Sequence, residues 1–229
     1  GSYRPAADSY HQWRKGCTGN LLTPWGNERI SVELYGPSAA AYELSVHEAS
    51  TGEEVGRASA RSVMNGAGEI CAVRFTPILY HKYLVKVRAQ GTIVAPAAGP
   101  FHLVVLGGGL SHWTSKGSIA CPADGQAVQA VGAVDADGRR HFYSSCGPNS
   151  KLPKPDFVAE VPFPSLWRER PFAGTSAAAP QAAGLAALWW SRNPEWNAEQ
   201  VSSAMRAAAR DLGPPGHDCE TGYGCIALP

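Results

Sequence analysis

The sequence has no excess of charge, no long apolar run and no cysteine pair spaced for a metal. Its 20 basic and 19 acidic residues leave a formal net charge of +1, which provides no basic surface for nucleic acid or anionic lipid. The longest notable apolar stretch, residues 184–190, is far too short to span a membrane. Because no two cysteines have the Cys-x-x-Cys spacing, no zinc site is expected. We therefore expect neither nucleic acid nor a membrane as a partner.

The length and apolar content are sufficient for a substantial hydrophobic core. The chain has 229 residues, of which 44% are hydrophobic, and this composition excludes extensive disorder. A chain of this length forms one large domain or two small ones.

The cysteines form an even set of six, Cys17, Cys71, Cys121, Cys146, Cys219 and Cys225. The simplest connectivity keeps partners within one region and joins 17 to 71, 121 to 146 and 219 to 225. Disulfides form in oxidising compartments, so this interpretation predicts a secreted or periplasmic protein. The alternative is six free thiols in a cytosolic protein. Of the two, we favour disulfides.

The first part of the chain has the alternating polar and apolar pattern of half-buried antiparallel strands. Strands are predicted at residues 29–35, 42–47, 72–76, 83–89 and 101–106. Short strands at this spacing indicate a small β-sandwich, whereas residues 3–25 are expected to be irregular. The run Gly107-Gly108-Gly109 breaks the pattern and lacks the spacing of a phosphate loop, so it is interpreted as a linker. The first predicted domain is therefore residues 3–106.

The remaining residues, 107–229, have a mixed α/β pattern and form the second predicted domain. A buried strand is predicted at 127–134, a second strand at 140–144 and a proline-rich loop at 148–171. A buried helix is expected from 175 to about 190, because small apolar residues occupy nearly all of its positions. Asn197 caps a last helix, with Gln200 completing a capping box. Asp135 and Asp137 lie in a glycine-containing turn, although the same residues could bind calcium.

One serine stands where nucleophilic chemistry requires it. Gly174-Thr175-Ser176 precedes an alanine-rich helix, so the Ser176 hydroxyl lies at a helix N-terminus, where free N–H groups favour a developing anion. Thr175 and Gly174 form the loop that presents this nucleophile. The alternative is an ordinary helix start with Thr175 or Ser176 as the N-cap.

Several blocks resemble the subtilisin-like serine proteases (subtilases), in the order that this family has them. They are Val131-Gly132-Ala133-Val134, Tyr143-Ser144-Ser145-Cys146-Gly147-Pro148, Lys154-Pro155-Asp156, Gly174-Thr175-Ser176-x-Ala178-x-Pro180 and Thr221-Gly222-Tyr223-Gly224. The resemblance covers about residues 107–229. It implies a partial parallel-sheet α/β domain in which Ser176 attacks a protein or peptide substrate, preceded by an inserted all-β sandwich. Gln181 and Ala159-Glu160 depart from the family pattern.

The other catalytic parts of the family have no match here. No aspartate, histidine or asparagine stands in the context that the family uses for the triad and the oxyanion site. The chain therefore resembles the C-terminal part of a protease and is expected to be inactive alone, with no cofactor. One hypothesis is that an N-terminal half supplies the aspartate, histidine and asparagine. The alternative is an inactive protease-like scaffold that carries a protein-binding or glycan-binding sandwich.

Overall fold

The structure, a computed structural model, describes residues 10–36, 42–59, 61–62, 69–89, 101–148, 152–167 and 169–228. The chain divides into two compact units, Gly1–Trp113 and Thr114–Pro229, which we call unit 1 and unit 2. The division falls after Trp113 rather than after residue 106, where the glycine run placed it. Residues 3–9, at the start of the first predicted domain, lie outside the described residues.

Unit 1 consists of antiparallel strands. In its described part these are β1 (Asn20–Pro24), β2 (Ile30–Gly36), β3 (Tyr42–Glu48), β4 (Glu54–Ser59), β5 (Arg61–Ser62), β6 (Glu69–Phe75), β7 (Tyr83–Ala89), β8 (His102–Leu106) and β9 (Gly108–Leu110). One sheet has the order β4-β3-β7-β1-β9, and the other has the order β5-β6-β2-β8.

The two sheets of unit 1 share one apolar cluster. On β2, Ile30, Val32 and Leu34 are buried, as strict alternation requires of a strand with one face on a core. Leu44 and Val46 of β3, in the other sheet, belong to the same cluster. The alternating residues therefore position both sheets by burying their inward side chains together.

Four strands of unit 1, β1, β4, β5 and β9, were not predicted. β1 lies in the segment 3–25 that was expected to be irregular, and β1 and β9 each have a physical reason. β1 contains Asn20, whose wholly buried amide donates to the His112 carbonyl at 2.7 Å and accepts from the His112 N–H at 2.9 Å. This satisfied polar side chain hides the strand pattern. β9 contains Gly108, where a Cβ would lie 2.6 Å from Leu22 Cδ1. The glycine run was therefore wrongly interpreted as a linker, since it allows β9 to pair with β1.

Unit 2 contains a parallel strand pair and two helices in its described part. β10 (Val131–Val134) pairs with β11 (Phe157–Glu160), and these are followed by α1 (Thr175–Arg192) and α2 (Ala198–Ala208). α1 packs on the strand pair through small residues, since Ala177 and Ala178 share a cluster with Ala133, Ala159 and Val161. Among the described residues, neither helix has the length and apolar character that crossing a membrane requires.

Three expectations for unit 2 were wrong. β11 lies inside the segment 148–171 that was expected to be a loop, whereas 140–144 forms only an isolated bridge from Arg140 to Val134. α1 is not buried all round, because Ala183, Gly184, Ala187, Leu188 and Trp190 are exposed. The capping box of α2 is confirmed: Asn197 Oδ1 accepts from Gln200 N–H at 3.0 Å, and Gln200 Oε1 accepts from Asn197 N–H at 2.9 Å.

The predicted disulfides are absent. All six cysteines lie within the described residues, and each has a free thiol. Cys71, Cys146 and Cys225 are buried, Cys17 is half-buried, and Cys121 and Cys219 are exposed. Burial raises the pKa of the Cys225 thiol. The expectation assumed that cysteines of one region pair with each other, and none of the three expected bonds is formed.

Candidate functional site

Gly174 sets the start of α1. Gly174 is the N-cap residue, and its φ of 88° lies in the region that favours glycine. No side chain forms a capping hydrogen bond at this end of the helix. The Gly174 carbonyl accepts the Ala177 N–H at 2.9 Å. Neither Thr175 nor Ser176 is the N-cap, so the ordinary capping alternative does not describe this helix start.

Ser176 is the second residue of α1 and is exposed. Ala177 and Ala178, which follow it, are buried against the strand pair, so the helix is anchored directly beside the serine. Within the described residues, neither the hydroxyl nor the N–H of Ser176 has a hydrogen-bond partner. The first N–H groups of a helix have no partner within it and carry the positive end of the dipole. The site can therefore present a hydroxyl next to a free N–H donor.

A cavity of about 190 Å³ lies beside this helix start. Its lining includes Thr175 of α1, Gly132 of β10 and Tyr143. Ser144, also in the lining, is wholly buried and accepts the Ala133 N–H at 2.9 Å. Pro155 also lines the cavity, so the serine block and three other blocks that resemble the family meet at one place in unit 2.

The histidines and aspartates near this region have other contacts. His141 Nε2 lies 3.2 Å from the Val161 carbonyl oxygen, and His217 Nε2 lies 2.9 Å from the Pro155 carbonyl oxygen. Asp156 accepts the Ala130 N–H at 2.7 Å. None of these groups contacts Ser176, so no base or orienting carboxylate for Ser176 is found among the described residues.

A buried ion pair flanks Pro155, which lines the cavity, and the sequence did not reveal this pair. Lys154 Nζ lies 2.6 Å from Asp156 Oδ2, and their side chains are 4% and 9% exposed. Lys154 Nζ also donates to the Val128 carbonyl. The pair therefore joins the segment that enters β10 to the segment that enters β11. The only signal was the adjacency of lysine, proline and aspartate, which does not indicate burial.

Gln181 has a role that its sequence position did not suggest. Its Nε2 donates to the carbonyls of Glu160 and Ala177, at 3.0 Å each. The side chain therefore ties the first turns of α1 to the end of β11. The two departures from the family pattern, at Gln181 and at Ala159-Glu160, contact each other through this bond.

The candidate calcium residues form a turn. Asp135 Oδ1 accepts the N–H groups of Asp137 and Arg139 at 3.0 and 2.9 Å, and Gly138 has a φ of 79°. Across the described parts of the chain, no group of three or more histidine, cysteine, aspartate or glutamate side chains could hold a metal ion. Asp137 Oδ2 also accepts from the Arg139 guanidinium at 2.9 Å, and these bonds fit the turn that the sequence predicts.

Comparisons with known proteins point to one family. The model of the Subtilase family matches residues 31–224. Subtilisin DY from Bacillus licheniformis is 35% identical over 128 residues, which are 56% of this chain and 43% of that protein. Subtilisin E from Bacillus subtilis (strain 168) is 33% identical over 128 residues, which are 56% and 31% of the two chains.

Among solved structures, the chain is similar to one described as the crystal structure of a lanthipeptide protease. The identity is 26% and the TM-score is 0.38, with 46% of this chain and 42% of that chain covered. The chain thus spans less than half the length of these relatives.

Proposed function

This chain belongs to the subtilase family, and from that premise we propose that Ser176 is the nucleophile of a serine endopeptidase. The observation that carries the proposal is the exposed Ser176 at the second position of α1, with its hydroxyl and N–H unpartnered among the described residues. The substrate class is protein or peptide, and no cofactor takes part.

The proposed reaction is acyl transfer. Ser176 Oγ attacks the carbonyl carbon of a peptide bond as its proton passes to a base, and the Ser176 N–H donates to the oxyanion that forms. Collapse of the intermediate breaks the C–N bond, protonates the leaving amine and leaves an ester on Ser176. Water then hydrolyses the ester by the reverse set of proton transfers.

The base is proposed to lie outside the described residues. In proteases of this kind, loss of the serine or histidine lowers turnover by about 10⁶, so the chain alone should be inactive. We propose that an N-terminal portion of the same protease supplies the aspartate, histidine and oxyanion asparagine. The exposed apolar face of α1, which includes Ala183, Ala187 and Leu188, supports a packing partner, since such faces are normally covered.

Covalent labelling tests this proposal. A fluorophosphonate probe should label Ser176 when an N-terminal subtilase portion is present and should fail to label the chain alone. Ser176→Ala should abolish the labelling. Ser191→Ala, which removes another exposed serine of the same helix, should not change it. Absence of labelling in every longer form of the protein would refute the assignment of the nucleophile.

A second candidate is a binding module on an inactive scaffold. Unit 1 has two antiparallel sheets with a shared apolar cluster, which supports our proposal that it is an inserted β-sandwich for a protein or glycan. Trp25 and Tyr80 are exposed, and strand registers put their loops at the same end of the unit. Glycan-array binding that Trp25→Ala or Tyr80→Ala removes, without any labelling of Ser176, would favour this candidate.

The location of the protein is proposed to be secreted or periplasmic. This proposal follows from the family resemblance alone, because the free thiols remove the argument from disulfides. Fractionation of the natural host, with an antibody against unit 2, tests it.

A further inference from the structure

A hairpin with an apolar tip lies directly before the helix that carries Ser176. Its base is closed by two reciprocal backbone bonds, Phe163 N–H to Phe172 O at 2.7 Å and Phe172 N–H to Phe163 O at 2.9 Å. At the tip, Leu166 is fully exposed and Trp167 is 95% exposed. The closed base holds these two side chains on the surface of unit 2.

The chain itself limits the distance from this hairpin to the candidate nucleophile. Ser176 lies four positions after Phe172 and nine positions after Trp167, so the base of the hairpin lies at most about 14 Å from the serine and the tip at most about 31 Å from it. A bound peptide in extended form covers even the larger distance with about nine residues. Side chains on the hairpin can therefore contact a peptide that is also positioned at Ser176.

Other exposed aromatic residues connect the hairpin with the cavity beside α1. His141 contacts the Val161 carbonyl just before the hairpin, and Phe142 and Tyr143 follow it with their rings 5.4 Å apart. Both rings are exposed, and Tyr143 lines the cavity together with Thr175. Exposed aromatic side chains thus lie next to the segment that enters the hairpin and at the cavity beside α1.

The composition of the tip indicates an apolar partner. Single exposed apolar residues are common, but Leu166 and Trp167 are adjacent. The sequence continues with the charged residues Arg168, Glu169 and Arg170, of which Glu169 and Arg170 are exposed in the described part of the chain. An apolar centre with a polar rim is typical of a recognition surface, and tryptophan contributes heavily to such surfaces. Peptide side chains that suit this centre are large and apolar.

We infer that Leu166 and Trp167 bind a large apolar side chain of the peptide on which Ser176 acts. The inference rests on the proposed protease function and adds a substrate preference to it. Binding removes both tip side chains and the peptide side chain from water, and that burial provides the affinity.

Peptide binding by the full chain tests this inference. Two fluorescein-labelled peptides, identical except for a central Phe-Leu or Ser-Asn pair, are titrated with the chain and followed by fluorescence anisotropy. The Phe-Leu peptide should bind about tenfold more tightly or better. Trp167→Ser should remove most of this difference, and the double change with Leu166→Ser should remove all of it.

A second tryptophan of unit 2 provides the matched control. Trp190 is also partly exposed, and it lies about 21 Å along α1 from Ser176. Trp190→Ser should leave the preference for the Phe-Leu peptide unchanged. Neither substitution should lower the melting temperature appreciably, because both side chains have much exposed surface.

The possible results separate this inference from the proposed function. Equal binding of both peptides, or a preference that survives the double substitution, overturns the inference even if Ser176 is labelled. A preference that depends on Trp167 in a protein whose Ser176 is never labelled supports the peptide-binding surface and refutes the nucleophile. If Trp167→Ser instead blocks only labelling with the N-terminal portion, the tip contacts that portion and the inference is wrong.

Discussion

Replacing Lys154 by methionine should destabilise unit 2 by about 3–5 kcal/mol, because it leaves Asp156 buried without its counter-ion. Lys154 Nζ and Asp156 Oδ2 are 2.6 Å apart, and less than a tenth of either side chain is exposed. Methionine retains the length and apolar stem of lysine but loses the charge and the bond to the Val128 carbonyl. A loss of this size lowers the melting temperature of a small domain by about 10–20 °C.

The double variant Lys154→Met with Asp156→Asn is the control. The asparagine oxygen can still accept the Ala130 N–H, which now bonds to Asp156 at 2.7 Å, and no buried charge remains. It should therefore be more stable than Lys154→Met alone. Thermal unfolding by circular dichroism gives the size of the effect, and hydrogen exchange at Ala130 and Phe157 locates it. A single variant within about 1 kcal/mol of wild type, or a double variant that is less stable than the single, would refute this reasoning.

Three further predictions concern a helix start, a turn and a helix cap. Gly174→Ala should lower the free energy of unfolding by about 1 kcal/mol or more in thermal melts, because φ is 88° at this position. Gly184→Ala, inside the same helix and with open space for a Cβ, should raise the free energy of unfolding by about 0.5–1 kcal/mol. Equal effects of the two substitutions would contradict this reasoning. Hydrogen bonds to its carboxylate lower the pKa of Glu48 to about 2, and the bond from the Thr51 N–H contributes most. The Glu48 carboxylate therefore stabilises unit 1 fully above the unfolded pKa near 4.5, and this stabilisation is lost as pH falls toward 2. In Glu48→Gln, the urea concentration at the unfolding midpoint should fall less steeply between pH 4.5 and 2 than in the unchanged protein. An equally steep fall would contradict this prediction. Asn197→Ala should cost about 1 kcal/mol, measured by hydrogen exchange in α2, and no loss of protection there would show that the capping box contributes little.

Features that depend on neighbouring residues could be predicted from the sequence. Asn197 and Gln200 are three positions apart, and their bonds follow from that spacing. The alternation of residues 29–35 predicted β2, which the structure has at Ile30–Gly36. The helix that begins at Thr175 was predicted from the residue types around Gly174. The role of Ser176 in catalysis stays a prediction.

Features that depend on distant parts of the chain could not be predicted. Asn20 belongs in a strand because His112, far along the chain, satisfies its amide. The proline-rich segment after residue 148 contains β11 because Val131 and its neighbours in β10 provide a parallel partner. Neither partnership leaves a local pattern. The burial of the Lys154–Asp156 pair has the same origin, since its second acceptor, Val128, comes from another segment.

The unequal exposure of the six thiols allows selected cysteines to be labelled. Maleimide dyes will react first with Cys121 and Cys219, which both belong to unit 2, while the buried thiols are shielded from them. A donor and an acceptor fluorophore on these two sulfurs would report the unfolding of unit 2 by energy transfer, without a signal from the β-strands of unit 1. The wild-type sequence can be labelled in this way without introducing a new cysteine.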